Sequence, residues 1–306
     1  MSHLCRHLCV VMGLAILTGS LCAAEPAAPT PLTLVVMDPL SAPLACDCVQ
    51  GYAQRKYEAL GNFLSQQLQR PVRVYWSESL AQALEEKTSG AADLVIGKHS
   101  VVLHDAAKSH RNLRPVAALT GQDGATTQTG LIVVRSTDPA TKVEDLAGYR
   151  IFFGPEDCDE KSLAPKSLLQ SHGVTLPSPH EICPTCSIAA TKLVELDPTV
   201  KAAAVVSSYA EPLLQGCGAV KKGELRVVGT SDPVAFITAF VEATLSETEQ
   251  QRITQALLNV STDADLMIAL ETGAGFVEYT PTPTPDGPRD ETASVSKASV
   301  PAKKKN

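Results

Sequence analysis

Residues 130–169, GLIVVRSTDPATKVEDLAGYRIFFGPEDCDEKSLAPKSLL, constrain the fold of this chain more than any other stretch. The apolar run 131–135 reads as a strand, and a turn and a short helix follow it. Thr141 and Glu144 have the spacing of a capping box, in which each side chain satisfies a free amide at a helix start. Gly148 stands where such a helix stops. Residues 150–153, Arg-Ile-Phe-Phe, are short and apolar, which predicts a strand covered on both faces of a sheet. A polar loop then leads into another helix. In open α/β sheets, ligands bind at that place, the carboxyl end of a buried strand. Residues 155–162 are therefore expected to form one wall of a binding site.

The same alternation continues on both sides. Ahead of the crossover, strands are expected at 32–37, 72–76, 93–97 and 113–119. A helix is expected over 51–68, with Tyr57, Leu60, Leu64 and Leu68 on one face. Ser79 and Gln82 offer a capping box for a second helix, running to Lys87. The Gly/Thr-rich segment 122–129 lacks apolar spacing and suits a crossover. Beyond the central stretch a helix runs through 166–171 and another over 188–196; a strand over 202–206 ends in Ser207, Ser208 and Tyr209. The strand 225–229 is expected to return the chain to the first lobe, followed by a strand at 236–241 and helices at 246–258 and 263–271. The fold class is α/β with two lobes, 32–125 plus 225–280 and 126–224, and a ligand cleft between them. Residues 281–306, rich in Pro, Thr, Ser and Lys, have no core to join and are expected to be a disordered tail.

The 306 residues carry a formal net charge of −7, and no basic run precedes the extreme C-terminus, which argues against a nucleic-acid partner. Residues 1–24 read as a secretory leader: Arg6 is the positive start, 8–17 the apolar run, and Cys22-Ala23-Ala24 the cleavage site. Leu21 is too bulky for lipidation at Cys22, so cleavage after Ala24 and a soluble periplasmic product are expected. Export makes the remaining cysteines, Cys46, Cys48, Cys158, Cys183, Cys186 and Cys217, disulfide candidates, with about 15 possible pairings.

Residues 131–135 with Val143-Glu144-Asp145-Leu146-Ala147-Gly148, residues 150–155, residues 202–209, and residues 225–233 with the two closing helices carry a resemblance. The chain resembles the substrate-binding proteins of ABC transporters with the type II periplasmic-binding fold, specifically the phosphate/phosphonate-binding branch, over about residues 32–279. The resemblance implies a monomeric exported protein that grips a small-molecule ligand by hinge closure and presents it to the membrane subunits of an ABC transporter, with no cofactor. In that family the strand matching 150–153 is usually followed by Asp-Pro and a Ser-Thr-Ser-Gly run, whose hydroxyls and helix-start amides hold an oxyanion. Here the run is Glu156-Asp157-Cys158-Asp159-Glu160-Lys161-Ser162, in which only Ser162 matches a hydroxyl donor. Four carboxylates there repel an oxyanion unless they point away from it.

Recognition residues are expected to be split between the lobes: Ser41, Lys98, His99 and Ser100 from the first, Ser162, Ser187, Ser207 and Tyr209 from the second. Lys98 offers a cation, and the hydroxyls offer donors; the competing readings are a solvated loop charge and helix capping. Cys46, Cys48, Cys158, His180, Cys183 and Cys186 are the residue types that copper or zinc selects, and Cys183 and Cys186 form a CxxC pair. The plainer reading, favoured by export, is disulfides that pin long loops, each contributing about 2–4 kcal/mol. A periplasmic metal- or redox-handling accessory with a cysteine-lined cleft is the alternative function. The chain has no GxSxG, no phosphate-binding GxxxxGK[ST] and no HExxH, so no enzyme is expected.

Overall fold

The protein is described here by a computed structural model covering residues 29–45, 54–176 and 178–282. The expected leader, the expected tail beyond residue 282, and Cys46 and Cys48 lie outside the described residues.

The chain begins with β1 (Leu32–Met37), α1 (Tyr57–Leu68), β2 (Val72–Trp76), α2 (Leu80–Gln82), β3 (Leu94–Lys98), α3 (His99–Lys108) and β4 (Leu113–Leu119). It crosses through β5 (Thr127–Gln128) into β6 (Gly130–Arg135), β7 (Arg150–Phe153), α4 (Leu163–Ser171), β8 (Glu181–Ile182), α5 (Cys186–Glu195), β9 (Ala202–Ser207), α6 (Ala210–Gly216) and β10 (Leu225–Thr230). It returns through β11 (Val234–Ala235) to β12 (Ile237–Glu242), α7 (Glu247–Leu258), α8 (Ala264–Ala269) and β13 (Phe276–Glu278). One sheet has six strands in the order β13-β4-β12-β3-β1-β2, the other five in the order β10-β6-β9-β7-β8. The crossing segments β5 and β11 pair with each other, Val234 opposite Gln128 and Ala235 opposite Thr127.

The central strands β1, β3, β9 and β12 are buried on both faces, as their continuous apolar runs require. In β1, Leu32, Leu34 and Val36 face Leu60, Leu64, Ile253 and Leu257. Val35 and Met37 face Val102 and Phe240 on the opposite side. In β7, Ile151 and Phe153 join Val143, Leu146 and Leu169, while Phe152 joins Ala190 and Leu193. A fully buried Phe or Leu stabilises by about 1.5–3 kcal/mol, so this period-two alternation fixes each strand's register.

The strand at 225–229 does not return to the first sheet. It is β10, which pairs antiparallel with β6 at the edge of the second sheet. Val228 packs into the second lobe's core, and a Cβ at Gly229 would lie 2.6 Å from Val143 Cγ2, so the segment is fitted closely to that lobe. The return crossing therefore follows Thr230.

Two helix starts also differ from the sequence reading. Residues 143–146 form one 3-10 turn, capped by Asp145 in place of Glu144: its carboxylate accepts from the Thr141 amide at 2.9 Å and the Thr141 hydroxyl at 3.2 Å. Glu144 instead meets His172 at 2.8 Å. Gly148 ends that turn with φ of +78°, the left-handed conformation that favours glycine. At α2, Ser79 makes no cap, and the Leu80 amide donates to Asp105 at 2.8 Å. Ser246 does cap α7, accepting from the Glu249 amide at 3.2 Å.

Candidate functional site

The carboxyl ends of the parallel strands face each other across the cleft. Lys98 closes β3, which runs parallel to β1. The loop 155–162 leaves β7, which runs parallel to β9, and Ser207 closes β9. The start of α5 brings Cys186 and Ser187, and Tyr209 precedes α6.

Two glycines let the loop approach. A Cβ on Gly130 would lie 2.0 Å from the Glu160 carbonyl oxygen and 2.6 Å from Pro165 Cγ. A Cβ on Gly154 would lie 2.4 Å from Lys161 Cβ. Only a missing side chain allows this contact, so the loop lies against β6 and turns Glu160 inward.

Glu160 is the centre of the polar network. It is 2% exposed, and Lys98 of the other lobe, 7% exposed, donates to its Oε1. Ser207 Oγ donates to the same oxygen at 3.0 Å, and Cys158 Sγ donates to Oε2 at 3.0 Å. Two more bonds tie the lobes: Lys98 Nζ donates to Cys158 Sγ at 3.4 Å, and the Asp159 amide donates to Ser100 Oγ at 3.1 Å. Burial works against the Glu160 charge, but Lys98 and Lys161 outweigh it and hold the carboxyl down to about 2. Burial likewise opposes the Lys98 ammonium, and Cys158 and Glu160 outweigh it, holding the amine well above the usual lysine range. Burial, with Glu160 beside it, pushes the Cys158 thiol up to about 12, which keeps it a donor. Lys98 also lies 5.4 Å from the Tyr209 ring centroid and 5.8 Å from that of Phe236.

Beside this network lies a cavity of about 330 Å³. The first lobe contributes Met37, Leu40, Leu44, Glu78, Lys98 and Val101 to its wall. The second contributes Asp157, Cys158, Lys161, Cys186, Ser187, Tyr209, Leu213 and Leu214. Apolar side chains with a few convergent polar groups are the usual make-up of a small-molecule site.

Of the eight residues singled out in the sequence, Lys98, Ser187 and Tyr209 line the cavity. Ser100 and Ser207 bind the loop 155–162 instead. His99 is engaged elsewhere: its Nδ1 meets Thr238 Oγ1 at 3.2 Å, and its ring stacks on Tyr279 with centroids 5.3 Å apart. Ser162 is buried at the start of α4 and lies outside the cavity wall. Ser41 is fully buried beside Arg55, its hydroxyl without a partner among the described residues.

Sequence reasoning missed the part Glu160 plays, since the loop's acids read there as charges that repel an oxyanion. It also missed a buried cluster at the end of β1. Asp38 accepts from Arg55 Nη1 at 2.8 Å and from the Tyr57 hydroxyl at 2.6 Å. The Arg55 guanidinium in turn lies 5.9 Å from the Phe236 ring centroid. Asp38 follows a buried parallel strand directly, and that position could have marked it.

The cysteine expectations are not met among the described residues. Cys158, Cys183, Cys186 and Cys217 carry free thiols, and no three His, Cys, Asp or Glu side chains converge as a metal-ligand set. The reason is placement. Cys158 is spent on Glu160, Cys186 accepts from the Ser207 amide at 3.4 Å, and His180 packs edge-on against Phe153, centroids 5.5 Å apart.

Residues 50–282 match the family model described as ABC transporter, phosphonate, periplasmic substrate-binding protein. The chain belongs to that family. Solved structures share its fold. A Xanthomonas citri protein bound to ATP is 14% identical, with a TM-score of 0.63 over 83% of this chain and 92% of that one. The binding-protein component of a Pseudomonas aeruginosa ABC phosphonate transporter is 13% identical, with a TM-score of 0.61 over 81% of each chain. A Prochlorococcus marinus protein in complex with methylphosphonate is 13% identical, with a TM-score of 0.57 over 81% of this chain and 92% of that one. None of the curated proteins compared matches the chain. Members of the type II fold have two lobes, as this chain does.

Proposed function

We propose that this protein is the exported, monomeric substrate-binding component of an ABC transporter, and that its solute occupies the cavity between the lobes. The observation that carries this reading is the composition of the cavity wall, drawn from the carboxyl ends of strands in both sheets. A ligand there touches both lobes at once, so its binding energy stabilises the closed form that a membrane subunit reads. Lys98, Ser187 and Tyr209 are the contacts on this reading, with Leu40, Leu213 and Leu214 covering the apolar part. Among the described residues no helix is long and apolar enough to cross a membrane, consistent with a separate membrane subunit. Family membership supports a transport role over catalysis.

The test is a thermal-shift screen of phosphate, phosphonates, sulfonates, alcohols and amines, repeated on Ser187→Trp, which fills the cavity from a half-buried position. A solute at 100 times its dissociation constant adds about 2.7 kcal/mol to the native state, and the substitution should remove that gain. A solute whose shift is unchanged by Ser187→Trp binds somewhere else, and the reading then fails.

A further inference from the structure

The position between the lobes that is best equipped to hold an anion already holds one. Lys98 supplies a cation from the first lobe, and Ser207 and Cys158 supply donors from the second, the latter two at 3.0 Å. All three converge on the Glu160 carboxylate. A free phosphate, phosphonate or sulfonate would need the same three groups, because cation and X–H donors are what stabilise an oxyanion out of water. To reach them it would have to displace a carboxylate whose backbone is wedged against β6. The Glu160 carbonyl oxygen lies 2.0 Å from where a Cβ on Gly130 would stand. A tethered carboxylate also surrenders less translational freedom than a free anion, so it holds the position at lower cost.

Beyond that position the cavity offers an anion one further cation, Lys161, and the neutral hydroxyls of Thr185, Ser187 and Tyr209, of which Thr185 and Ser187 already bond each other at 2.9 Å. Once Glu160 neutralises Lys98, the charged lining is Lys161 against Glu78 and Asp157. Lys161 Nζ already donates to the Pro184 carbonyl at 3.4 Å. The rest of the wall that faces a ligand is largely Leu, Val, Met and Pro.

We infer that Glu160 is a resident anion: it fills the oxyanion-holding position of the cleft, and the cavity beside it takes an uncharged or cationic small molecule with an apolar body. This rests on the solute-binding reading above and narrows it to a chemical class.

A head-group series on one apolar body tests it: hexanol, hexylamine and hexylphosphonate, with inorganic phosphate and methylphosphonate alongside. Each is titrated into the wild type, Glu160→Gln and Glu160→Ser by calorimetry and thermal shift. In the wild type, hexanol or hexylamine binds, and the three anions do not. In Glu160→Gln, which keeps the shape and removes the charge, affinity for hexylphosphonate rises by about tenfold or more and that for hexylamine falls. Glu160→Ser guards against a folding defect in the first variant. Phosphate should raise its melting temperature more than it raises that of the wild type, whatever its starting stability. Wild-type affinity for phosphate or a phosphonate equal to that of Glu160→Gln overturns the resident anion and leaves solute binding standing. A wild type that binds neither hexanol nor hexylamine also overturns it. Silence of every probe toward all three proteins overturns the resident anion and leaves solute binding to the wider screen above.

Discussion

Lys98 and Glu160 each occupy a site where a lone charge could not be kept. Both are nearly sealed from water, and each is held ionised by the other. Breaking such a pair from one side leaves the remaining charge uncompensated, which costs about 3–5 kcal/mol. The acid response follows from the depressed carboxyl. The folded value is about 2, below the unfolded glutamate value of 4.5, so the stabilisation is complete above pH 4.5 and is lost as pH falls toward 2. Its size is on the order of 3 kcal/mol. Glu160→Gln should therefore be the less stable protein at neutral pH. Its urea midpoint should then converge with that of the wild type as pH is lowered through that window. Parallel curves across the window would show that Glu160 is not held as the structure places it.

At the scale of elements, the site depends on how closely the loop 155–162 approaches β6. Gly130 opens that strand, and an added methyl there would meet backbone, which cannot rotate away. Gly130→Ala should destabilise by about 1–3 kcal/mol through overpacking and should push the loop outward. Gly148 makes a contrast, since its added methyl meets nothing within 4 Å and only the positive φ opposes it. Gly148→Ala should cost about 1 kcal/mol. Melting of the two variants, with hydrogen exchange of the loop amides, separates the effects: both lose stability, and only Gly130→Ala speeds exchange at the Asp159 and Lys161 amides. The sequence showed the strand, the loop and the following helix of this unit. It did not show that Gly130 is needed by a residue 30 positions away, because that demand comes from packing between segments.

Across the whole molecule, the two lobes are joined by the crossing strands β5 and β11, a pair of two-residue segments. A link so short leaves the lobe angle to be set by contacts across the cleft. The polar contacts across the cleft include the Lys98–Glu160 pair, the Lys98 donation to Cys158 at 3.4 Å and the bond from the Asp159 amide to Ser100, and Tyr209 packs on Phe236 with centroids 5.2 Å apart. The double substitution Lys98→Met with Ser100→Ala should therefore shift the population toward an open form. Small-angle scattering should show a larger radius of gyration than the wild type at equal concentration. An unchanged scattering curve would place the closing force elsewhere, in the apolar wall of the cavity.

Local pattern determined much of this protein without help from the fold. The alternation of short apolar runs with amphipathic segments dictated two buried sheets. β1, β2, β4 and β7 lie at the residues that the pattern marked; for β1 and β7, burial on both faces leaves no other register. The cleft, and the loop that forms its wall, followed from strand direction alone. What tertiary structure decided was partnership. Whether 225–230 joined one sheet or the other depended on an edge that only the folded second lobe provides. Whether an acid in the loop faced outward or inward depended on a lysine 62 residues away and on room left by two glycines. Charge at a position is written in the sequence, but its sign of effect is set by what the fold places within reach.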